Sequence, residues 1–373
     1  MPENYDMFKN TNVETDFDIE LLKREVGQRF PFYDIRSNAN AVAFFCRVDK
    51  EFLEQKFDDL RRSLSEKGYV PMLRHEQGEH IIYIIKKPKR QKKPIWINIL
   101  LLIATIFTTT LAGSLLWTEI YGVDWSEMIS AKYIFEGLVF FSVPLLLILG
   151  VHEMGHYFSS KKHKLDTSLP FFMPLPPPFS LGTLGAIIST REQIPDRKSL
   201  IDVGSSGPIC GFLVAIPISI LGLYFMQQNP IAIPADSETV RYTYPLILQG
   251  LSSFFTIPEN TFMHPTLFAA WAGFFITAIN LLPIGQLDGG HISRALFKEK
   301  SKYASWIVII TLFILGLFST TWIVFLFFIL FMIGTQHQPP LNEFSDLDTR
   351  RKIIGIIALI IFALCFAPIP ITV

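Results

Sequence analysis

The sequence is poor in charged residues and has no pattern of paired cysteines. Asp, Glu, Lys and Arg make up 18% of its 373 residues, against about a quarter in an average soluble protein. Its three cysteines, Cys46, Cys210 and Cys365, lie far apart, so we expect no disulfide framework. The first thirty residues lack the apolar core of a cleavable signal, and we expect the first spanning helix to direct insertion.

Apolar residues, in contrast, are abundant and unevenly distributed. They make up 50% of the chain, and Phe alone accounts for 34 residues. Residues 1–94 nevertheless hold 18 of the 33 Lys and Arg and 16 of the 33 Asp and Glu. We therefore predict a polytopic α-helical membrane protein with two domains, a cytosolic module over residues 1–94 and a membrane-embedded domain over residues 95–373.

The N-terminal module has the alternating patterns of a small α+β fold. Residues 40–48 predict a strand, residues 50–68 an amphipathic helix, and residues 69–76 and 80–87 two further strands around a turn at Gly78. Residues 1–36 are poorly patterned, and we expect part of that segment to be disordered.

A basic run over residues 86–94 directly precedes an apolar segment long enough to span a bilayer. Lys and Arg prefer cytoplasmic loops, which predicts a cytosolic N-terminus. The spanning segment that follows argues against a nucleic-acid role for the run. Further spanning helices are predicted near residues 133–160, 200–226, 265–297 and 353–367, and the run 303–334 splits at Ser319 in a seven-span arrangement or stays whole in a six-span one.

Residues 165–199 do not fit a spanning helix. They contain too many prolines for a helix, yet they are too apolar for an ordinary loop. Residues 184–190, "LGAIIST", have the β-branched residues of a strand. Non-helical backbone at membrane depth must be covered by protein or reached by water, and this predicts a re-entrant β-hairpin beside a wet cavity.

The segment "HEMGH" places His152, Glu153 and His156 in the second predicted span. Two histidines four residues apart on a helix share one face, which is the spacing of two zinc ligands, and the intervening Glu is suited to act as a general base. Ionisable side chains inside a membrane are costly and usually functional. This segment therefore predicts a catalytic zinc site, which needs a third protein ligand.

The third ligand is sought in "NLLPIGQLDGGH", residues 280–291, where Pro and Gly interrupt the fourth predicted span. Asp288 is the carboxylate available at membrane depth there, although an Asp at a helix break also caps well. Gly150 and Gly155 are predicted to let this helix approach the histidines. His291 is expected to be a polar interface residue or a supporting group.

Taken together, these segments resemble the site-2 proteases, a family of intramembrane zinc metalloproteases, in particular the archaeal, cyanobacterial and plastid-like branch that lacks a PDZ domain. The resemblance is carried by "HEMGH", by "NLLPIGQLDGG", and by the hairpin and "GSSGPICGF" between them. It implies one catalytic Zn²⁺ bound by His152, His156 and Asp288, with Glu153 as general base. Asn280 and Pro283 match positions that handle substrate in the family.

The resemblance implies regulated intramembrane proteolysis, in which an intramembrane zinc metalloendopeptidase cleaves a transmembrane helix near the cytosolic face. The expected partners are a membrane-protein substrate and the lipid bilayer, without nucleic acid, and the expected location is the plasma membrane. Two alternatives stay open, a non-proteolytic zinc-binding membrane protein and a transporter of similar helix architecture.

Overall fold

The computed structural model describes residues 16–49, 51–88, 94–176, 181–190, 192–234, 240–334 and 337–372. The chain divides into two compact units. Unit 1 comprises Met1–Lys92, Gln193–Leu200 and Pro339–Leu347, and unit 2 comprises Lys93–Glu192, Ile201–Gln338 and Asp348–Val373.

The elements of unit 1 are α1 (Ile19–Gly27), β1 (Phe32–Ser37), β2 (Ala41–Cys46), α2 (Leu53–Glu66), β3 (Tyr69–Glu76) and β4 (Glu79–Lys86). The strands form a four-stranded antiparallel sheet in the order β1-β2-β4-β3. One face of helix α2 supplies Phe57, Leu60 and Leu64 to the core at helical spacing, each 2% exposed or less. The α+β class predicted for this region is confirmed, but α1 and most of β1 lie in residues 1–36, where the sequence showed little pattern.

Two segments from much later in the chain belong to unit 1, and one of them enters its core. The amide of Leu73 in β3 donates to the carbonyl oxygen of Leu341 at 2.8 Å, and the amide of Leu341 donates to Ile194 at 2.9 Å. Leu341 is only 4% exposed within the same hydrophobic cluster as Leu73. No local pattern indicates this arrangement, because Leu73 and Leu341 are more than 260 residues apart in the chain.

Unit 2 is mostly helical. Among the described residues, three stretches are long and apolar enough to cross a membrane, namely Ile95–Tyr121, Ala131–Lys162 and Arg197–Gln228. The predicted class of helical membrane protein is thus supported, while the predicted number of six or seven spans is not established. Its helices are α3 (Ile95–Tyr121), α4 (Ala131–Gly137), α5 (Val143–Lys162), α6 (Arg197–Gln228), α7 (Leu246–Ser252), α8 (Pro265–Asn280), α9 (Asp288–Phe297), α10 (Ser301–Gly316), α11 (Thr320–Phe328) and α12 (Thr349–Cys365).

Unit 2 also contains two short antiparallel strand pairs. Strands β5 (Phe171–Pro174) and β6 (Thr183–Ile187) form the hairpin predicted between the two motif helices. Strands β7 (Arg241–Tyr242) and β8 (Ile371–Thr372) form the second pair. The re-entrant placement of the hairpin remains a prediction. Most of the basic run, residues 89–93, lies outside the described residues.

Two helix breaks anticipated from the sequence are present in unit 2. Helix α10 ends at Gly316 and α11 begins at Thr320, close to the predicted split at Ser319. The predicted span near residues 265–297 is interrupted over residues 281–287, between α8 and α9. Asp288 is the first residue of α9, and Gly289 and Gly290 lie inside that helix rather than in the break.

Candidate metal centre

His152 and His156 lie one turn apart on α5 and face the same direction. Their Nε2 atoms are 3.2 Å apart. His152 is 4% exposed and Glu153, the next residue, is 7% exposed, although both side chains are polar. Polar groups this deeply buried require partners, and the histidines find one on a different helix.

Asp288 supplies that partner from the first residue of α9. Its Oδ2 atom lies 3.3 Å from His152 Nε2 and 3.3 Å from His156 Nε2. In the part of the chain that the structure describes, these three side chains form the only group of His, Cys, Asp or Glu able to hold a metal ion. The structure thus brings together all three residues that the sequence indicated as ligands, although Asp288 is more than 130 residues from either histidine in the chain.

The donor set and its spacing fit a zinc ion. Two imidazole nitrogens and one carboxylate oxygen are typical ligands of catalytic zinc, which keeps a fourth position open. A tetrahedral ion about 2.0–2.1 Å from each ligand separates the ligand atoms by about 3.3–3.4 Å. The observed separations of 3.2 and 3.3 Å nearly equal that value.

The break between α8 and α9 is what places Asp288. A Cβ atom on Gly289 would lie 2.0 Å from the carbonyl oxygen of Leu281, and one on Gly290 would lie 2.3 Å from that of Gly285. The first turn of α9 therefore packs directly on the backbone of the break, an approach that only glycine permits. The "DGG" sequence is explained by this contact rather than by helix termination.

A backbone carbonyl on α6 orients His156. Its Nδ1 atom is 2.8 Å from the carbonyl oxygen of Val203. A carbonyl can only accept, so Nδ1 carries the proton and Nε2 presents its lone pair toward His152 and Asp288. Metal-binding histidines are commonly fixed in this way. Val203 was not indicated by the sequence, because a backbone contact leaves no side-chain signature.

Three glycines of α6 line the candidate ligand residues, and sequence reasoning missed their role. Gly204, Gly207 and Gly211 are spaced by three and four residues and so share one helix face. An added Cβ would lie 3.1 Å from the Asp288 carbonyl oxygen at Gly204, 2.1 Å from His156 Nε2 at Gly207 and 3.1 Å from His152 Nδ1 at Gly211. The signal was present in "GSSGPICGF", whose small residues recur at helical spacing.

The roles predicted for Gly150 and Gly155 need correction. A Cβ on Gly155 would lie 2.7 Å from the carbonyl oxygen of Ser206, so Gly155 permits close contact with α6 and not with the helix that carries Asp288. Gly150 has room for a Cβ, with Phe172 Cζ nearest at 3.9 Å. Gly155 therefore serves the packing of α5 on α6, and Gly150 makes no close helix contact.

The other residues indicated by the sequence differ in what they contact. The Asn280 side-chain nitrogen is 3.4 Å from His152 Nε2, so its amide reaches the ligand atoms. The Pro283 carbonyl accepts a hydrogen bond from Ser305 Oγ at 2.6 Å, which ties the break to α10. His291 Nδ1 lies 2.6 Å from His337 Nε2, so His291 has a polar partner of its own.

Comparison with known proteins agrees with this geometry. Residues 140–318 match the model of peptidase family M50. The chain is 30% identical over 239 residues to "Probable zinc metalloprotease EGY1, chloroplastic" of Oryza sativa subsp. japonica, covering 60% of this chain and 40% of the relative. The Arabidopsis thaliana protein of that name is 30% identical over 239 residues, covering 60% of this chain and 42% of the relative. The Arabidopsis thaliana "Probable zinc metalloprotease EGY2, chloroplastic" is 29% identical over 238 residues, covering 60% of this chain and 40% of the relative.

The matched segment contains the whole candidate centre, from His152 to Asp288. The chain resembles peptidase family M50 over residues 140–318, and the resemblance to the site-2 proteases seen in its motifs is confirmed. It spans about two fifths of the length of these curated relatives. Their names place them in chloroplasts and lend no support to the predicted plasma membrane location. No solved structure was found to match the chain.

Proposed function

We propose that this protein is an intramembrane endopeptidase that binds one zinc ion and cleaves the membrane-spanning helices of other membrane proteins. The observation that carries the proposal is the convergence of His152 Nε2, His156 Nε2 and Asp288 Oδ2 to within 3.3 Å of one another, beside a buried glutamate. A bound zinc ion would act there as a Lewis acid toward a peptide carbonyl and would acidify a water molecule.

Glu153 is the proposed general base. It directly follows His152 on α5 and is 7% exposed, so bulk water reaches it poorly. Its carboxylate takes a proton from the attacking water and delivers that proton to the leaving amide nitrogen of the substrate. The Asn280 amide, 3.4 Å from His152 Nε2, is placed to donate a hydrogen bond to the oxygen of the scissile carbonyl.

Strand β6 is the proposed docking site for the substrate backbone. It pairs with β5 on one edge, and no strand pairs with its other edge among the described residues. A helical substrate shields its peptide bonds, so it must unwind before attack. An extended segment of substrate would then add to the free edge by backbone hydrogen bonding, which requires the hairpin to lie at membrane depth.

The lysines of unit 2 support a membrane orientation for this site. Lys161 and Lys162 end α5, just after the two histidines, and Lys298 and Lys300 follow α9. Lys and Arg concentrate on the cytoplasmic side of membranes. We therefore place the metal centre near the cytosolic face, in a membrane domain of residues 95–373 that crosses the bilayer six or seven times, with residues 1–94 on the same side.

The experiment that tests the function combines metal content with cleavage. Full-length protein in liposomes is assayed against a labelled single-span peptide, beside Glu153→Gln and a control, Glu127→Gln, which changes an exposed glutamate outside the centre. We expect about one zinc per chain in all three proteins and cleavage lost only in Glu153→Gln.

Different failures of this experiment point to different conclusions. Undiminished turnover in Glu153→Gln would remove that residue from the mechanism. Stoichiometric zinc in a wild-type protein that cleaves none of a panel of single-span peptides would favour a zinc-binding membrane protein without protease activity. A folded wild-type protein that binds no zinc would contradict the proposed metal centre itself.

A further inference from the structure

A cluster of charged side chains joins the ends of three helices in unit 2. Asp202, in α6, accepts hydrogen bonds from Arg351 Nε at 2.9 Å and Arg351 Nη2 at 2.6 Å. Its Oδ2 atom also lies 2.9 Å from His163 Nε2. Arg351 belongs to α12 and His163 follows the last residue of α5, so one carboxylate links three separate helices.

The cluster is well shielded and internally ordered. The side chains of His163, Asp202 and Arg351 are between 16% and 20% exposed. Arg351 also donates from Nη1 to Asp348 at 2.6 Å, and Asp348 caps α12 by accepting from the Arg351 amide at 2.8 Å. A two-point contact between guanidinium and carboxylate fixes direction as well as distance. The position of Asp202 is therefore held by more than a single surface ion pair.

Asp202 is adjacent in sequence to the backbone group that orients a zinc ligand. Val203, the next residue of α6, accepts the Nδ1 hydrogen of His156 at 2.8 Å. One turn further along, Gly207 lies so near that an added Cβ would be 2.1 Å from His156 Nε2. The imidazole is thus enclosed by the same stretch of α6 that Asp202 anchors, and a small displacement of that stretch would move or rotate the ring.

We propose that Asp202 is a positioning residue for the metal centre. Held by Arg351 and His163, it fixes the first turns of α6 so that the Val203 carbonyl takes the Nδ1 hydrogen of His156 and leaves Nε2 for the metal. The inference rests on the proposed function, because it assumes that His156 binds zinc. It gives Arg351 a role beyond that of a basic residue beside a spanning helix.

The test measures zinc affinity in the full-length, detergent-purified protein by competition with a chelator. Asp202→Asn and Arg351→Gln each break the cluster. Lys198→Gln is the matched control, because it removes a single ion pair with Glu54, 2.6 Å in length, from the first turn of the same helix. Replacing groups that orient a metal ligand costs about 10–100-fold in affinity, and we expect a loss of that size in the two cluster variants only.

A second readout separates positioning from general stability. In protein loaded with cobalt instead of zinc, the visible absorption spectrum reports the geometry of the ligands, and we expect it to change in Asp202→Asn but not in Lys198→Gln. The double variant Asp202→Asn, Arg351→Gln should lose little more affinity than either single one, because both act through one contact. If Asp202→Asn fails to fold, Arg351→Lys keeps the charge but loses the two-point contact and should weaken zinc in the same direction.

The possible outcomes are distinguishable. Zinc affinity within twofold of wild type and an unchanged cobalt spectrum in the cluster variants would overturn the positioning role while leaving the protease proposal intact. An equal loss in Lys198→Gln would also overturn it, since any loosening of α6 would then suffice. A wild-type protein without zinc affinity would overturn both proposals together.

Discussion

Replacing Gly207 with alanine is expected to abolish zinc binding with a single added methyl group. The new Cβ would lie 2.1, 2.4 and 2.6 Å from Nε2, Cδ2 and Cε1 of His156. Ordinary contacts between such atoms are 3.4–4 Å, so the ring must move by more than 1 Å, since the helix backbone cannot yield as easily. Zinc ligands must lie within about 0.2 Å of their ideal distance, and His156 would no longer reach the ion.

The expected consequence is a loss of zinc affinity greater than about 100-fold, the upper end of what removing a supporting group costs. Chelator competition on purified Gly207→Ala would measure it, and cleavage should fall in parallel. The remaining pair, His152 and Asp288, lies within 3.3 Å but offers only two ligands, which is fewer than catalytic zinc uses.

Two glycine variants serve as controls for Gly207→Ala. Gly222→Ala places a Cβ 2.5 Å from the Leu267 amide nitrogen, a comparable clash in the same helix, about 22 Å along α6 from Gly207 at 1.5 Å per residue. It should lower the melting temperature and leave zinc bound. Gly150→Ala meets only Phe172 at 3.9 Å and should behave as wild type. Wild-type zinc affinity in Gly207→Ala would refute the proposed contact between α6 and His156.

Three further changes test other parts of the structure. Gly289→Ala would place a Cβ 2.0 Å from the Leu281 carbonyl oxygen; it should displace Asp288 and reduce zinc content, and full metal loading would contradict the role given to the "DGG" turn. Leu341→Ala removes a side chain that is 4% exposed in the core of unit 1, at a cost of about 2–5 kcal/mol; faster amide hydrogen exchange across β3 and β4 would reveal it, and unchanged exchange would argue against the packing. Hydrogen bonds from Lys67, and then Ser63, lower the pKa of Glu25 from its ordinary value of 4.5 to about 2. The interactions that lower this pKa stabilise unit 1 above pH 4.5, and their contribution is lost as the pH falls from about 4.5 to 2. Glu25→Gln should therefore flatten the change in hydrogen exchange of unit 1 over that pH range. A pH dependence identical to that of the wild type would exclude the contribution of Glu25.

Local patterns predicted much of unit 1 and failed where the pattern was weak. Phe57, Leu60 and Leu64 recur at helical spacing, and the predicted helix is present there as α2. Residues 1–36 have no clear period, yet α1 and β1 form there because the rest of the sheet and α2 supply an apolar surface for them. Leu341 joins the same core from far along the chain, and no local rule indicates such a partner.

The candidate centre was predictable to the extent that its chemistry lies in side-chain identity and spacing. The segment "HEMGH" identified His152, Glu153 and His156 by their spacing. Asp288 was identified as the carboxylate within an interrupted apolar helix. The sequence was misleading about the glycines, because Gly155 could pack against any neighbour and only the fold shows that the neighbour is Ser206 of α6. Asp202 was not indicated by the sequence, because its proposed role depends on contacts with His163 and Arg351.

The sequence by itself determined the class of the protein, the two motif helices and the donor atoms of the centre, because hydrophobicity, helical periodicity and ligand chemistry are properties of individual residues and their spacing. The tertiary structure alone decided which helix encloses those ligands and which carbonyl sets the tautomer of His156. It also decided that Leu73 pairs with Leu341 across the chain. These are contacts between segments that are distant in sequence, and their geometry exists only after the chain has packed.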